Sequence, residues 1–475
     1  MSNIPPEKAV RRNNRMNAQV VVIGAGLAGL CAAYQLKKQG VSTLVFEASK
    51  SIGGKIQTRQ VQGFTFDVGP NTVLESNESV VRLLTDLGLK ERMLWANQAA
   101  NTRYILKSGK LVPLKASPAM LFTPLLSLSA KLRLLKEPFI APSPTRETAA
   151  EFVARRFGPE VLDYLINPFL AGTFGAKPEH LAADAAFKTL TEWEKKYGSV
   201  IKGAWQARKV RTQAPKKFSR KMFSFAGGFY DVVKRLAEEI GTGLWREVHV
   251  QSMTCESDGL KISLTQGGVS KKVEAKKIIV ATPALQAAQL LESLAPELAA
   301  ALKMIPYSPI AQVFLGYDVH LIKLPNGFGF LVPECEQRKI LGIVFNSMIF
   351  PERYAQGAAM TVFIGGSRQP ELAMLSEAEL LALTRAEIKE ILGIDAAPKA
   401  TAVVQWHQAI PQYNLHHQRV IRSVEQYEQA HGNVFFTGNW RAGISVPDTI
   451  EHAEKIALQV AESLRNQPSA REFSH

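Results

Sequence analysis

Three glycines near the start of the chain have the spacing that holds a dinucleotide phosphate. Gly24, Gly26 and Gly29 form a G-x-G-x-x-G pattern between an apolar run, residues 20–23, and a helical pattern, residues 27–40. The first glycine allows a tight turn, the second lets the backbone approach a pyrophosphate, and the third lets the helix pack closely. The free N–H groups and the dipole at the helix N-terminus favour an anion there. The loop predicted to contact the phosphates is Gly24, Ala25, Gly26, Leu27, Ala28 and Gly29.

A carboxylate is placed to bind the ribose of the same nucleotide. A second apolar run, residues 41–46, ends at Glu47, which is followed by Ala48. A carboxylate in this position accepts hydrogen bonds from ribose hydroxyls and repels a 2′-phosphate, so the pattern predicts FAD or NAD rather than NADP. The alternative is an ordinary βαβ unit whose glycines serve only for packing.

A second glycine pair favours FAD over NAD. Gly53 and Gly54, followed by Lys55, come shortly after Glu47. The run 20–58 resembles the monoamine-oxidase-like flavoprotein superfamily, and this resemblance implies that the glycine pair approaches the pyrophosphate and ribityl chain of FAD. The superfamily commonly has arginine two residues before the pair, where this chain has Ser51. Lys50 is the neighbouring source of positive charge.

Composition limits the class of protein. The chain has 475 residues, of which 46% are apolar and 21% charged, enough for two or three domains with substantial cores. Its three cysteines have neither metal-site nor disulfide spacing, so we expect no metal and a reducing compartment. The net charge of +15 favours an acidic substrate or anionic lipid. No nucleic-acid motif accompanies that charge, and we expect no nucleic-acid partner.

Neither a signal peptide nor a membrane span is predicted. Residues 1–16 lack an apolar core and are interpreted as a mobile basic arm. No run approaches the roughly 18 apolar residues of a transmembrane helix. The proline-punctuated segment 116–140 combines apolar bulk with lysines and arginine, which suits a helix in a membrane interface; the alternative is a core helix. The basic segment 195–221 is predicted to be a solvated, flexible loop, with attraction to lipid headgroups as the alternative.

Further segments are predicted to surround the cofactor and a ligand. Residues 62–72 return the chain to the cofactor through Gly69, Pro70, Asn71 and Thr72, although a plain turn is the alternative. Residues 103–113 form a hairpin headed by Arg103, either a surface cation or a bidentate partner for a carboxylate. Residues 147–168 have one continuous helical pattern. The apolar runs 310–317, 327–332, 340–350 and 360–365 predict a separate sheet, and residues 376–392 a capped helix.

A second strand–turn–helix pattern at residues 433–457 contains Gly438 and Asn439 and implies that both chain ends build one FAD domain. The expected fold class is α/β plus α+β: a Rossmann-like FAD-binding domain, a mixed-sheet substrate domain and a helical, membrane-associating subdomain. The expected boundaries are 17–95, 222–285 and 430–470 for the FAD domain, 96–115 and 286–429 for the substrate domain, and 116–221 for the helical part.

Nearly the whole chain after residue 17 resembles the protoporphyrinogen oxidase family. The resemblance is carried by GAGLAGL, GGKIQT, GPNTV, MFSFAGGF, TGNWRAGISVPDTIEHA and, more specifically, by segments 141–181 and 409–413. It implies that Arg103 pairs with a porphyrinogen propionate, that Leu331 and Phe350 sandwich the macrocycle, and that Asn71 lies near flavin and substrate. It also implies further contacts: Gly172 and Gly175 in the pocket wall, and Val248, Trp406, Ile444, Ser445 and Val446 at the FAD.

The implied activity is oxidation of protoporphyrinogen IX to protoporphyrin IX in haem biosynthesis, with FAD as cofactor and oxygen as acceptor. The alternative function is that of a coproporphyrinogen oxidase. An amine oxidase and a non-catalytic flavin-binding module are weaker alternatives. The expected location is the cytoplasm, with peripheral attachment to the cytoplasmic membrane. A homodimer is possible on the sequence alone.

Overall fold

The computed structural model describes residues 16–115, 123–211, 218–256, 259–355 and 357–466. The predicted basic arm therefore lies almost wholly outside the described residues. The strands are β1 (Met16–Ile23), β2 (Thr43–Phe46), β3 (Gln57–Val61), β4 (Phe64–Val68), β5 (Val73–Leu74), β6 (Leu94–Trp95), β7 (Thr102–Lys107), β8 (Lys110–Lys115), β9 (Met222–Ser224), β10 (Leu244–Trp245), β11 (Val248–Glu256), β12 (Gly259–Gln266), β13 (Val269–Val280), β14 (Tyr307–Asp318), β15 (Gly329–Leu331), β16 (Gly342–Val344), β17 (Gly357–Gly365), β18 (Ala400–Pro411) and β19 (Val434–Phe436).

Helices fill most of the intervening segments. They are α1 (Leu27–Lys38), α2 (Glu78–Asp86), α3 (Leu128–Leu134), α4 (Ala149–Arg156), α5 (Pro159–Val161), α6 (Asn167–Phe174), α7 (Ala183–Ala186), α8 (Lys188–Tyr197), α9 (Val200–Arg211), α10 (Tyr230–Ile240), α11 (Ala284–Leu291), α12 (Pro296–Lys303), α13 (Asn346–Ile349), α14 (Glu377–Leu392), α15 (His417–His431) and α16 (Val446–Arg465).

The first large sheet joins strands from both ends of the chain. Its order is β10–β2–β1–β13–β12–β11, and β19 also pairs with β13. Strand β1 lies parallel between β2 and β13, and β19 is parallel to the end of β13. Helices α1, α10 and α16 contribute to one apolar core on this sheet. The carboxyl ends of β1, β2, β13 and β19 therefore meet along one edge, where α/β sheets place their ligands.

The second large sheet has the order β18–β14–β17–β16–β15–β7–β8. It is mixed, because β15 pairs parallel with β7 while its other neighbour, β16, is antiparallel. The predicted hairpin of residues 103–113 forms its edge, with Ser108 and Gly109 at positive φ in the turn. The mixed α/β character predicted from the sequence is confirmed.

Two helical predictions were wrong in detail. The pattern 147–168 is not one helix. Helix α4 ends before Gly158, which has a φ of +95° and is followed by Pro159 at the start of α5. The segment 195–221 is mostly helical up to residue 211, because it includes the end of α8 and the whole of α9, whereas residues 218–221 form no helix or strand. The carboxylate of Glu137 accepts hydrogen bonds from the first amides of α9, Val200 and Ile201. This tertiary cap compensates for the absence of a local acidic residue.

A third prediction, a strand over residues 340–350, holds only in part. Strand β16 is short, and α13 occupies the second half of the run. The change of direction brings Asn346 beside the loop that contains Asn71. An apolar run alone does not distinguish a strand from a short buried helix.

Candidate active site

The first glycine loop is built to carry a ligand without side-chain obstruction. Gly24 has a φ of +105°, and a Cβ atom on Gly29 would overlap the carbonyl oxygen of Gly24. These two glycines are therefore required by the protein's own backbone. Gly26 differs, because its φ is −71° and a Cβ atom there would meet nothing within 4 Å. The space above Gly26 is available to a group that the fold does not itself supply.

The second glycine pair completes the same surface. Gly53 donates its N–H to Ala25 O at 2.7 Å, and Gly26 and Gly53 form a parallel bridge. A Cβ atom on Gly54 would lie 3.3 Å from Gly26 Cα. The two motifs thus form one cradle at the N-terminus of α1, which fits the pyrophosphate of a dinucleotide.

Glu47 lies at the rim of this cradle. Its carboxylate accepts the N–H of Ala25 at 2.8 Å and that of Ser49 at 2.9 Å. Its backbone carbonyl accepts the N–H of Val248, which brings that predicted adenine-end residue alongside. Ala48 is exposed. The carboxylate is thus held against the first glycine loop, and its contact with a ribose stays a prediction.

The C-terminal loop closes the other side of the candidate FAD site. Asn439 O accepts the hydroxyl of Tyr413 at 2.6 Å, and Gly443 donates its N–H to the same hydroxyl. Ser445 caps α16, which begins at Val446. Val446 packs against the core that contains α1. Gly438 and Ile444 belong to the same connection, so the structure gathers this predicted set in one loop.

Lys55 is a half-buried amine that follows the second glycine pair. Its Nζ donates to Ala409 O at 2.5 Å and lies 5.2 Å from the centre of the Tyr307 ring. Burial lowers the pKa of Lys55 to about 8. On the same strand as Ala409, Trp406 has a buried Nε1–H with no hydrogen-bond partner among the described residues. Both groups have polar hydrogens that a bound cofactor could engage.

The loop of residues 69–72 is clamped by the second sheet. Gln312 accepts the N–H of Gly69 at 2.9 Å and donates to its carbonyl at 3.1 Å. Asn71 is half-buried, as are its neighbours Pro70 and Thr72. Asn71 Oδ1 accepts from Asn346 at 2.8 Å. Sequence reasoning missed Gln312 and Asn346, although a polar residue inside each apolar run was the available signal.

The predicted pocket wall joins the helical part to the second sheet. A Cβ atom on Gly172 would overlap Leu331 Cδ2, and one on Gly175 would lie 2.9 Å from Ser308 Oγ and Ile310 Cδ1. Phe350, in contrast, is only 2% exposed and packs with Ala100 and Ile349. Leu331 is half-buried and so available to a ligand, whereas Phe350 is part of the supporting core.

Arg103 stands beside this wall without an acidic partner among the described residues. Its guanidinium lies 5.0 Å from the centre of the Phe328 ring, and one N–H group approaches Met222 Sδ at 3.8 Å. Leu331 pairs with Ile105, two residues along the same strand from Arg103. Surrounding groups lower the pKa of Arg103 by desolvation, yet arginine remains charged. The cation is placed to receive a carboxylate.

His417 is buried and His452 is half-buried, and both lie close to the C-terminal loop. His417 Nε2–H donates to Trp440 O at 2.7 Å, and its ring stacks on Tyr413 at 3.9 Å. Burial lowers the pKa of His417 to about 4 and that of His452 to about 3. Both imidazoles are therefore neutral at pH 7. Across the described ranges, no group of three or more His, Cys, Asp or Glu side chains could hold a metal ion.

The free energy of unfolding should fall as the pH drops from about 6.5 toward 4, where the unfolded histidines are protonated and the native ones are not. Because the unfolded state then binds more protons, stability rises with pH by up to about 1.4 kcal/mol per pH unit for each histidine. Denaturant titrations at several pH values measure this slope. His417→Gln should reduce it, whereas the exposed His431→Gln should not. Equal slopes in all three proteins would contradict the assignment.

Comparison with known proteins identifies what this arrangement resembles. Residues 27–461 match the family model of flavin-containing amine oxidoreductases. The mitochondrial protoporphyrinogen oxidase of Nicotiana tabacum is 33% identical, over 94% of this chain and 96% of the relative. The coproporphyrinogen III oxidase of Bacillus subtilis is 26% identical, over 92% and 96%.

Solved structures share the fold. An Exiguobacterium protein superposes with a TM-score of 0.78 at 20% identity, over 94% of this chain and 99% of that chain. The cyclohexylamine oxidase of Brevibacterium oxydans superposes with a TM-score of 0.67 at 21% identity, over 94% and 99%. The same fold therefore occurs in an enzyme named for an amine, and the substrate must be argued from the pocket.

Proposed function

Because the chain belongs to the protoporphyrinogen oxidase family of flavin-containing amine oxidoreductases, we propose that it oxidises protoporphyrinogen IX to protoporphyrin IX. It is an FAD-dependent oxidoreductase, and the pathway it serves is haem biosynthesis. The overall reaction removes six electrons and six protons from the macrocycle. With oxygen as acceptor, three molecules of oxygen become three of hydrogen peroxide.

The position of Arg103 is the observation that supports a porphyrinogen as the substrate. A porphyrinogen bears propionate carboxylates on an apolar ring, and here the guanidinium of Arg103 lies over the Phe328 ring, while Arg103 itself is on the strand that pairs with the one carrying Leu331. An amine substrate is cationic and would be repelled by Arg103. The net charge of +15 further favours an anionic substrate.

The chain's own residues bind and orient the reactants. The glycine cradle and Glu47 fit FAD, which supplies the two-electron acceptor when bound. Gln312 fixes the loop that carries Asn71 between cofactor and pocket. Arg103 orients the macrocycle through a propionate, and Leu331 and Gly172 limit where its flat face can lie. No side chain is assigned as catalytic acid or base, since aromatisation drives the reaction.

The test is anaerobic reduction of the bound flavin by two porphyrinogens in parallel. Protoporphyrinogen IX should bleach the flavin absorbance faster than coproporphyrinogen III at equal concentration. Faster bleaching by coproporphyrinogen would favour the second candidate, which the Bacillus relative represents. Bleaching by neither, or by an amine alone, would overturn the proposal.

Membrane attachment belongs to the same proposal. Six exposed apolar side chains, here called the apolar patch, lie on α3, the segment after it and α9: Leu128, Leu132, Leu135, Phe139, Ile201 and Trp205. On α3, Ala130 and Leu134 face the core of the helical part, so Leu128 and Leu132 face away from it. Lys136 and Lys202 lie nearby in sequence and are exposed. Apolar side chains beside lysines suit the interface of an anionic bilayer.

A buried ion network holds the two parts of the apolar patch together. Glu137 and Arg156 are fully buried and their side chains lie 3.1 Å apart. Glu137 also accepts hydrogen bonds from the first amides of α9. It therefore connects the segment that carries Phe139 to the helix that carries Trp205. Within the described ranges no helix is long and apolar enough to cross a membrane. We propose peripheral attachment to the cytoplasmic face of the membrane.

Introducing charge into the apolar patch should weaken vesicle binding. Replacing Leu132 and Phe139 together by glutamate removes two apolar side chains worth about 1.5–3 kcal/mol each when buried, so the affinity should fall more than roughly tenfold. Co-sedimentation with anionic vesicles measures this, and turnover in detergent should be unchanged. Leu321→Glu, an exposed site outside the patch, is the control. Retained vesicle binding by the double variant would exclude this surface.

A further inference from the structure

Three polar side chains form a hydrogen-bonded line from the interior of the second sheet to the candidate active site. Thr361 Oγ1 donates to Asn346 Oδ1 at 2.8 Å, and Asn346 Nδ2 donates to Asn71 Oδ1 at 2.8 Å. We call Thr361, Asn346 and Asn71 the amide relay. Thr361 and Asn346 are 1% and 5% exposed, whereas Asn71 is half-buried. The relay therefore has a closed end in the core and an accessible end in the loop.

The donors and acceptors along the relay are fixed in one direction. A primary amide has one carbonyl acceptor and two N–H donors. Because Thr361 donates to the Asn346 carbonyl, the amide nitrogen of Asn346 faces Asn71 and occupies the Asn71 carbonyl. Asn71 Nδ2 donates one hydrogen to Gly69 O at 3.3 Å, which leaves its second N–H for another partner.

We propose that Asn346 and Thr361 are positioning residues that make Asn71 present an N–H donor, and not its carbonyl, to a ligand. The partner is then an acceptor oxygen, either a ring carbonyl of the flavin or a propionate carboxylate of the substrate. If the partner is the propionate, this inference rests on the proposed function. If Asn71 rotated by half a turn, its carbonyl would face that oxygen and repel it.

The backbone of the loop is held independently of the relay. Gln312 pairs with both the N–H and the carbonyl of Gly69 through its own amide. Cutting the relay at Thr361 should therefore weaken the hold on the Asn71 amide, whose orientation then depends on the 3.3 Å hydrogen bond from Nδ2 to Gly69 O, without releasing the loop. This separation makes the role of the relay measurable apart from folding.

The experiment compares two substitutions at Thr361 that differ in the hydroxyl. Thr361→Val keeps the shape and removes the donor, whereas Thr361→Ser keeps the donor. Ser347→Ala is the matched control, because Ser347 is buried on the same helix as Asn346 but bonds only the backbone of Ala359. Three properties are measured on the full-length protein: the dissociation constant and absorption spectrum of FAD, kcat and KM for protoporphyrinogen, and the melting temperature.

For Thr361→Val we expect either the FAD dissociation constant or the KM for protoporphyrinogen to rise roughly 5- to 20-fold. Both constants should stay within about twofold of wild type in Thr361→Ser and Ser347→Ala. A weaker FAD constant with a shifted flavin spectrum identifies the ring carbonyl as partner. A raised KM with unchanged FAD binding identifies the propionate. If Thr361→Val matches Thr361→Ser in both arms, the inference is overturned. If instead the wild type does not oxidise protoporphyrinogen, the proposed function fails, while the FAD arm still tests the relay.

Discussion

Gly26→Ala should fold as well as the wild type and lose its cofactor. A Cβ atom at this position meets no protein atom within 4 Å, and its φ of −71° suits alanine. In the holoenzyme the same atom would intrude on the pyrophosphate that approaches Gly26. Overpacking of this kind costs about 1–3 kcal/mol, so the FAD affinity should fall roughly 10- to 100-fold. Flavin fluorescence titration measures the affinity, and the melting temperature of the flavin-free protein should be unchanged.

Gly29→Ala provides the contrast within the same motif. Its Cβ atom would overlap Gly24 O, so the strand–helix packing must change even without a ligand. This variant should melt at a lower temperature than the flavin-free wild type and bind little FAD. If Gly26→Ala also melted early, or retained wild-type FAD affinity, the cradle would not be the cofactor site.

Arg103→Ala should raise KM for the porphyrinogen roughly 10- to 100-fold while FAD stays bound. The lost interaction is a charge-assisted pair between guanidinium and propionate, worth about 1.5–3 kcal/mol. Because the proposed contact of Arg103 is with the periphery of the macrocycle and not with the reacting carbon, kcat should change less than KM. Steady-state kinetics with protoporphyrinogen separate the two constants.

Two control variants test the shape of the cationic group and its place in the chain. Arg103→Lys keeps the charge but loses the planar fork, so its KM should lie between those of wild type and alanine variant. Arg422→Ala removes an exposed arginine on α15, remote in sequence from the hairpin, and should have normal kinetics. A KM for Arg103→Ala within twofold of wild type would remove Arg103 from substrate binding.

The parts of the site that follow from local backbone geometry could be predicted from the sequence. Gly24 and Gly29 are required wherever a strand turns tightly into a packed helix, and the hairpin that carries Arg103 is specified by its turn at Ser108 and Gly109. Such features depend on residues close together in the chain. The family resemblance then added roles for Leu331 and Asn71 that spacing does not encode.

The parts that were missed depend on distant residues. Helix α9 has no acidic residue in its first turn, and the N–H groups of Val200 and Ile201 are bound by Glu137, more than sixty positions earlier. Gln312 and Thr361 are each a single polar exception inside an apolar strand. The fold brings Gln312 to Gly69, and it links Thr361 to Asn71 through Asn346. Phe350, whose predicted role is at the pocket, is buried in the cluster that also includes Phe328, and its contact with a ligand stays a prediction.

The pairing of β19 with β13 has a consequence for how the protein is made. The sheet that supports the nucleotide cradle receives its last strand at Val434–Phe436, and α16 follows only after that. A ribosome must therefore release the chain through β19 and α16 before the cradle can close. Flavin should be captured only after these elements have emerged, and a nascent chain stalled before residue 434 should be colourless even in saturating FAD.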